Sequence, residues 1–151
     1  MRVFCDTNVL IAASVQAHVH HAPAKGVLER ICRGDDTGYT SAHSLVETFS
    51  VLSRMPTVPK LMPQDVLAIL EQNIIPRFTL VAADYPEAIR ALTAKGLGGG
   101  RIYDLLHLVA ARKPALDRIY TFNDSEWKKL APDLEPLIAT SPAVKTFEAP
   151  L

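Results

Sequence analysis

The sequence predicts an α/β fold in which a mainly parallel sheet is covered by helices on both faces. Two observations carry that expectation. Short apolar runs alternate along the chain with segments of helical period, the order that builds parallel crossovers. The chain has 151 residues, 48% of them hydrophobic and 21% charged, which suits one globular domain over residues 1–151 with a single sizeable core.

The elements follow in order. RVFC reads as a short buried strand, and VLIAAS opens a helix that Asp6, Thr7 or Asn8 could cap. APAKGVLERICRG has helical spacing through Ala24, Val27, Leu28 and Ile31, with Gly34 as its stop. TGYT is a second short strand. SAHSLVETFSVLSRM is a helix whose apolar stripe runs through Ala42, Leu45, Val46, Phe49 and Leu52. The Pro-rich PTVPKLMP is a surface loop within the domain. PQDVLAILEQNI is helical, with Pro63 in its first turn. RFTLVAA is a strand, DYPEAIRALTAKG a helix ending at Gly96, LGGG a loop, and RIYDLLHLVAARK a helix stopped before Pro114. DRIYTFN and EPLIAT supply the last strands. No internal repeat or low-complexity tract occurs.

Charge narrows the function classes. Lys plus Arg and Asp plus Glu both number 16, so the bulk attraction of a basic nucleic-acid binder is absent. A polyanionic partner needs a local basic patch or a bound cation. Two cysteines, Cys5 and Cys32, suit a reduced cytoplasmic protein. No secretory signal is legible, because Asp6 breaks the opening apolar run, and no stretch approaches a membrane span.

That Asp6 is the first sign of chemistry. A buried, unpaired carboxylate costs several kcal/mol, so it needs a partner, a metal or access to water. At the carboxyl end of the first strand it would face the cleft where open α/β sheets bind ligands. RIYTFND ends likewise in Asn123 and Asp124. At about 100° per residue, His43, Glu47, Ser50 and Arg54 share one helix face. A solvated face is the plain account of a lone Glu there. Asp104 sits in an otherwise apolar helix, one turn before His107, where complementing the helix dipole is its plain account. Together these acids would repel in one cleft unless protonated or bridged by a cation, and hard oxygen ligands suit Mg²⁺ or Mn²⁺.

FCDTNVLIAA, YTSAHSLVETFSVLSR, GGGRIYDLLHLVAA and IYTFNDSEW resemble, in order and spacing, the blocks of PIN-domain ribonucleases, nearest in kind to the toxins of VapBC toxin–antitoxin pairs. The resemblance spans Val3 to about Trp127. It implies a three-layer α/β/α sandwich, a Mg²⁺ or Mn²⁺ centre and endonucleolytic RNA cleavage. It places Asp6, Glu47 and Asp104 on the family's acidic positions. Asn123 stands two residues after Thr121, where many members carry Asp and some Asn, and Asp124 is the adjacent candidate. Asp6 and Asp104 would hold the ion most directly. Glu47 with Asn123 or Asp124 would complete the shell. Thr7, Asn8 and Thr121 would orient ligands or a phosphate oxygen. The resemblance also implies a small antitoxin partner and a homodimer.

Other features are read more plainly. HVHH, with His18, His20 and His21, is an exposed or substrate-side loop in preference to a metal site. LGGGR lacks the lysine of a phosphate-binding loop, though Arg101, like His43 and Arg54, could contact phosphate. Trp127 suits packing better than base stacking, and Lys128 and Lys129 a solvated face. A catalytically silent PIN-like module that binds RNA or protein is the alternative function. A phosphotransferase using Asp6 ranks third, since CDTNV lacks the second Asp that a haloacid-dehalogenase pattern needs.

Overall fold

The computed structural model describes residues 1–72 and 77–140, with residues 77 and 78 described by backbone alone. Five parallel strands form one sheet in the order β3-β2-β1-β4-β5: β1 (Arg2–Cys5), β2 (Thr37–Ser41), β3 (Arg77–Phe78), β4 (Arg118–Tyr120) and β5 (Ile138–Ala139). Between them run α1 (Thr7–Ser14), α2 (His21–Cys32), α3 (His43–Leu52), α4 (Pro63–Gln72), α5 (Asp84–Ala94), α6 (Arg101–Ala111) and α7 (Asp124–Leu130).

Strand alternation sorts the core into layers. Val3 and Cys5 of β1, with Tyr120 of β4, pack against Val9, Leu10 and Ala12 of α1 and Ala24, Val27 and Leu28 of α2. Phe4 and Ile119 point the other way, into a cluster with Ala88 and Leu92 of α5, Leu105 and Leu108 of α6, and Trp127 and Leu130 of α7. Both faces of the sheet are thus covered, as a parallel sheet requires. Gly34 and Gly96 end α2 and α5 at φ +80° and +68°, a left-handed conformation that glycine adopts without steric cost.

Two local expectations need correction. The strand expected over RFTLVAA is only Arg77–Phe78; Leu80 lies beyond it, buried in the helical layer. The helix expected over PQDVLAILEQNI is observed from Pro63 to Gln72, and its last two residues lie outside the described chain. The second correction is to α3. Val46 is 67% and Phe49 38% exposed, whereas Ser44, Thr48 and Leu52 form the buried line. Their spacing of four keeps them on one face, and the small hydroxyl residues let α3 lie close to its neighbours. Thr40 Oγ1 donates to Cys5 O at 2.8 Å and lies 3.0 Å from Ser44 Oγ, so these buried hydroxyls are partnered. Thr48 Oγ1 is buried with no hydrogen-bond partner. An apolar group of the same shape relieves that desolvation cost. Thr48→Val should therefore stabilise the protein by about 1 kcal/mol in denaturant titration.

Candidate active site

Asp6 is the hinge between β1 and α1. Its N–H donates to Tyr120 O at 3.0 Å, extending the β1–β4 ladder, and its carbonyl accepts from Val9 N–H at 3.0 Å as α1 begins. The Asp6 side chain makes no capping bond to α1. It is 4% exposed and accepts a hydrogen bond of 2.7 Å from Thr121 Oγ1. Thr121 in turn accepts from Asn123 N–H at 3.0 Å and from Asn8 Nδ2 at 3.3 Å, while Asn8 Oδ1 accepts from Phe122 N–H at 3.2 Å. The ends of β1 and β4 are thereby laced side by side.

Glu47 of α3 reaches the same region. Its Oε2 lies 2.7 Å from His107 Nε2 and accepts from Thr7 Oγ1 at 3.3 Å. His107 is fully buried, and its Nδ1 is 3.5 Å from Ser44 Oγ. Asp104, half-buried on α6, accepts the indole N–H of Trp127 at 3.1 Å. The ring of Trp127 is itself fully buried, which places it in the core and removes it as a stacking surface.

The electrostatics show that these groups act on one another. Burial pushes Asp6 up to about 6, His107 and Thr121 oppose that rise, and the charges of Asp104 and Glu47 add to it. Burial likewise raises Asp104, against the pull of Trp127 and His107, with Glu47 and Glu126 raising it further. Glu47 is lowered, chiefly by its hydrogen bond to His107. The three carboxylates therefore feel one another, though burial more than their mutual charge raises Asp6.

A pH signature follows from Asp6. Between its ordinary value of 3.8 and about 6, the native state holds a proton that the unfolded chain has released. Stability from this group therefore falls as pH rises through that window. Without added metal, Asp6→Asn should melt higher than the parent protein at neutral pH, and the gap should close near pH ~4. Equal melting temperatures across the range would contradict this account of Asp6.

The remaining expected residues are placed less centrally. Asn123 is exposed and occupies the cap position of α7. Asp124, in the first turn of α7, pairs with Lys128 at 3.5 Å. Arg101 does not stand open for phosphate: its guanidinium is paired with Glu126 of α7. Arg54 Nε folds back onto Ser50 O at 2.9 Å. In the HVHH loop, His20 stacks on Phe122 with ring centroids 4.3 Å apart, and His21 Nδ1 lies 3.0 Å from Ala12 O. Sequence reasoning missed Glu126, because α7 had not been expected. It also left unread the contacts of His107 and Trp127 with the acids, although the spacing Asp104-x-x-His107 was a signal for the first.

Among the described residues, no three His, Cys, Asp or Glu side chains converge as a ready-made metal cage. Glu47 is turned to His107 instead. The donor set nonetheless fits a hydrated hard cation. Mg²⁺ keeps several waters and takes one or two carboxylates, and Asp6 with Asp104 supplies two whose mutual repulsion a cation would relieve.

A parallel α/β sheet with three neighbouring carboxylates at its carboxyl edge defines the class: an α/β domain with an acidic site there. The chain belongs to the PIN domain family, whose model matches residues 3–131. It is similar to Ribonuclease VapC27 of Mycobacterium tuberculosis (strain ATCC 25618 / H37Rv), at 29% identity over 106 residues, covering 70% of this chain and 74% of that protein. Among solved structures it resembles Mycobacterium tuberculosis VapC20, described as a sarcin–ricin loop cleaving toxin. The TM-score is 0.63 at 20% identity, over 82% of this chain and 92% of that one. It also resembles a chain of VapBC2 from Rickettsia felis, solved bound to a DNA fragment from their promoter. There the TM-score is 0.60 at 23% identity, over 92% and 98% of the two chains. These two likenesses establish the shared fold.

Proposed function

We propose that this protein is a Mg²⁺- or Mn²⁺-dependent endoribonuclease and the toxin of a toxin–antitoxin pair. The observation that carries the reading is Asp6: a buried carboxylate raised to about 6, with the charges of Asp104 and Glu47 pressing on it. Groups so perturbed in a cleft mark functional sites. The ribonuclease VapC27 and the toxin VapC20 support the chemistry. The VapBC2 assembly supports an antitoxin partner.

Asp6 and Asp104 would hold the ion, with Glu47 and Asn123 binding its waters. Asn123 is preferred to Asp124 because its backbone joins the Thr121–Asp6 network, whereas Asp124 is paired with Lys128. A bound divalent ion supplies a lowered water pKa and positive charge at phosphate. The chain's own residues do the rest. Thr121 fixes the Asp6 carboxylate through a 2.7 Å bond, and Thr7 and His107 hold Glu47 in place. Glu47 is the carboxylate best kept ionised, which suits it to accept hydrogen bonds from the ion's waters and to orient them. An antitoxin that inserts Arg or Lys among these carboxylates would pair with them and exclude the cation. The assembly is a homodimer in this reading.

The test of substrate class is cleavage of a total-RNA pool beside duplex DNA in Mg²⁺. Discrete RNA fragments with intact DNA are expected. With RNA untouched, the silent binding module becomes the better reading.

A further inference from the structure

Helices α3 and α6 meet beside the carboxylates. On α3, His43 and Glu47 are one turn apart; on α6, Tyr103 and His107 are one turn apart. The inner pair is the 2.7 Å contact of Glu47 with His107. The outer pair is a ring stack. His43 and Tyr103 lie with centroids 5.5 Å apart and planes within 7°, and His43 also sits 5.7 Å from the His107 ring. Tyr103 is 52% exposed, and its ring runs parallel to that of His43. A large aromatic ring held parallel to a neighbour, half in solvent and one residue from Asp104, is not explained by core packing.

We infer that the Tyr103–His43 stack is a platform for one unpaired RNA base next to the scissile phosphate. The inference rests on the ribonuclease reading and names a subsite for it. Stacking requires only the π-face that every base presents, and it needs the base unpaired. It also suits a protein whose 16 basic residues are balanced by 16 acidic ones, since stacking attracts without net charge. His43 acts as a positioning residue that keeps the Tyr103 ring flat. Tyr103 makes the contact.

The test uses a labelled single-stranded octaribonucleotide that the wild-type protein cleaves, and copies of it carrying one abasic position each. Binding is measured in EDTA, and KM and kcat are measured in Mg²⁺. Tyr103→Ala should weaken binding and raise KM by about 5- to 100-fold, the range for one base on one aromatic ring, with a smaller change in kcat. Tyr103→Phe should bind like the wild type. One abasic position should weaken wild-type binding by a similar factor, and Tyr103→Ala should then add nothing. A folded Tyr103→Ala protein that binds as well as wild type would overturn the platform and leave the ribonuclease reading standing, as would losses that simply add at every abasic position. If wild type neither binds nor cleaves any RNA, both readings fall together.

Discussion

Asp104→Asn should abolish RNA cleavage, by at least about 100-fold in kcat, while leaving the fold intact. One carboxylate oxygen of Asp104 is tied to the buried indole of Trp127, a bond that an amide oxygen can also accept. The helix-dipole contribution of an acid in the first turn of α6 is worth at most about 1 kcal/mol. Against that small loss stands a gain, since burial and the neighbouring charges of Glu47 and Glu126 raise Asp104. A metal-free Asp104→Asn protein should therefore melt within a few degrees of the parent. In the proposed site Asp104 is one of two direct ligands, so cation binding should be lost with cleavage. Unchanged cleavage by a folded Asp104→Asn protein would reduce Asp104 to a helix-dipole residue.

Trp127→Ala should have the largest effect on stability, about 4 kcal/mol by denaturant titration. Trp127 is fully buried among Phe4, Leu105 and Leu108, with its ring 6.5 Å from that of Phe4 and 6.4 Å from that of His107. Its removal opens a cavity under the site and also withdraws the N–H that orients Asp104. Trp127→Phe separates the two roles. It should cost less stability, because a ring still fills the space. It should still lower cleavage, because Asp104 loses its donor. If Trp127→Phe cleaves normally, the indole bond is structural only.

Different parts of the molecule were legible in the sequence to different depths. RVFC was clear because it is short, apolar and followed by a polar break, which placed Asp6 at its end; the strand expected over DRIYTFN stops at Tyr120, and Asn123 stands at the cap of α7 instead. The helix over RIYDLLHLVAA was clear because it is long and strongly periodic. In α3 the rule that apolar residues face inward failed. Ser44 and Thr48 are small enough for close packing, and Thr40 Oγ1 gives the Ser44 hydroxyl a partner while Thr48 has none, so Val46 and Phe49 lie outside. Helix α7 escaped notice because DSEWKKL has only Trp127 and Leu130 as apolar residues, too few to set a period. The contacts that make the site are also non-local. Asp6 with Thr121, Glu47 with His107 and Asp104 with Trp127 join residues 115, 60 and 23 positions apart. Spacing along one helix or strand holds no trace of such pairs; the strand end marked Asp6 and the apolar helix marked Asp104, and the family's block order joined them with Glu47.

The central claim is that the carboxylates of Asp6 and Asp104 form a cation-dependent RNA-cleaving site. It is tested most directly by titrating Mn²⁺ into the protein while measuring both ion binding and the cleavage rate of a total-RNA pool. The account predicts that the two curves share one midpoint. EDTA should stop cleavage, and Asp6→Asn should lose both signals in a protein that remains folded. Cleavage that persists in EDTA, or in folded Asp6→Asn, would contradict it.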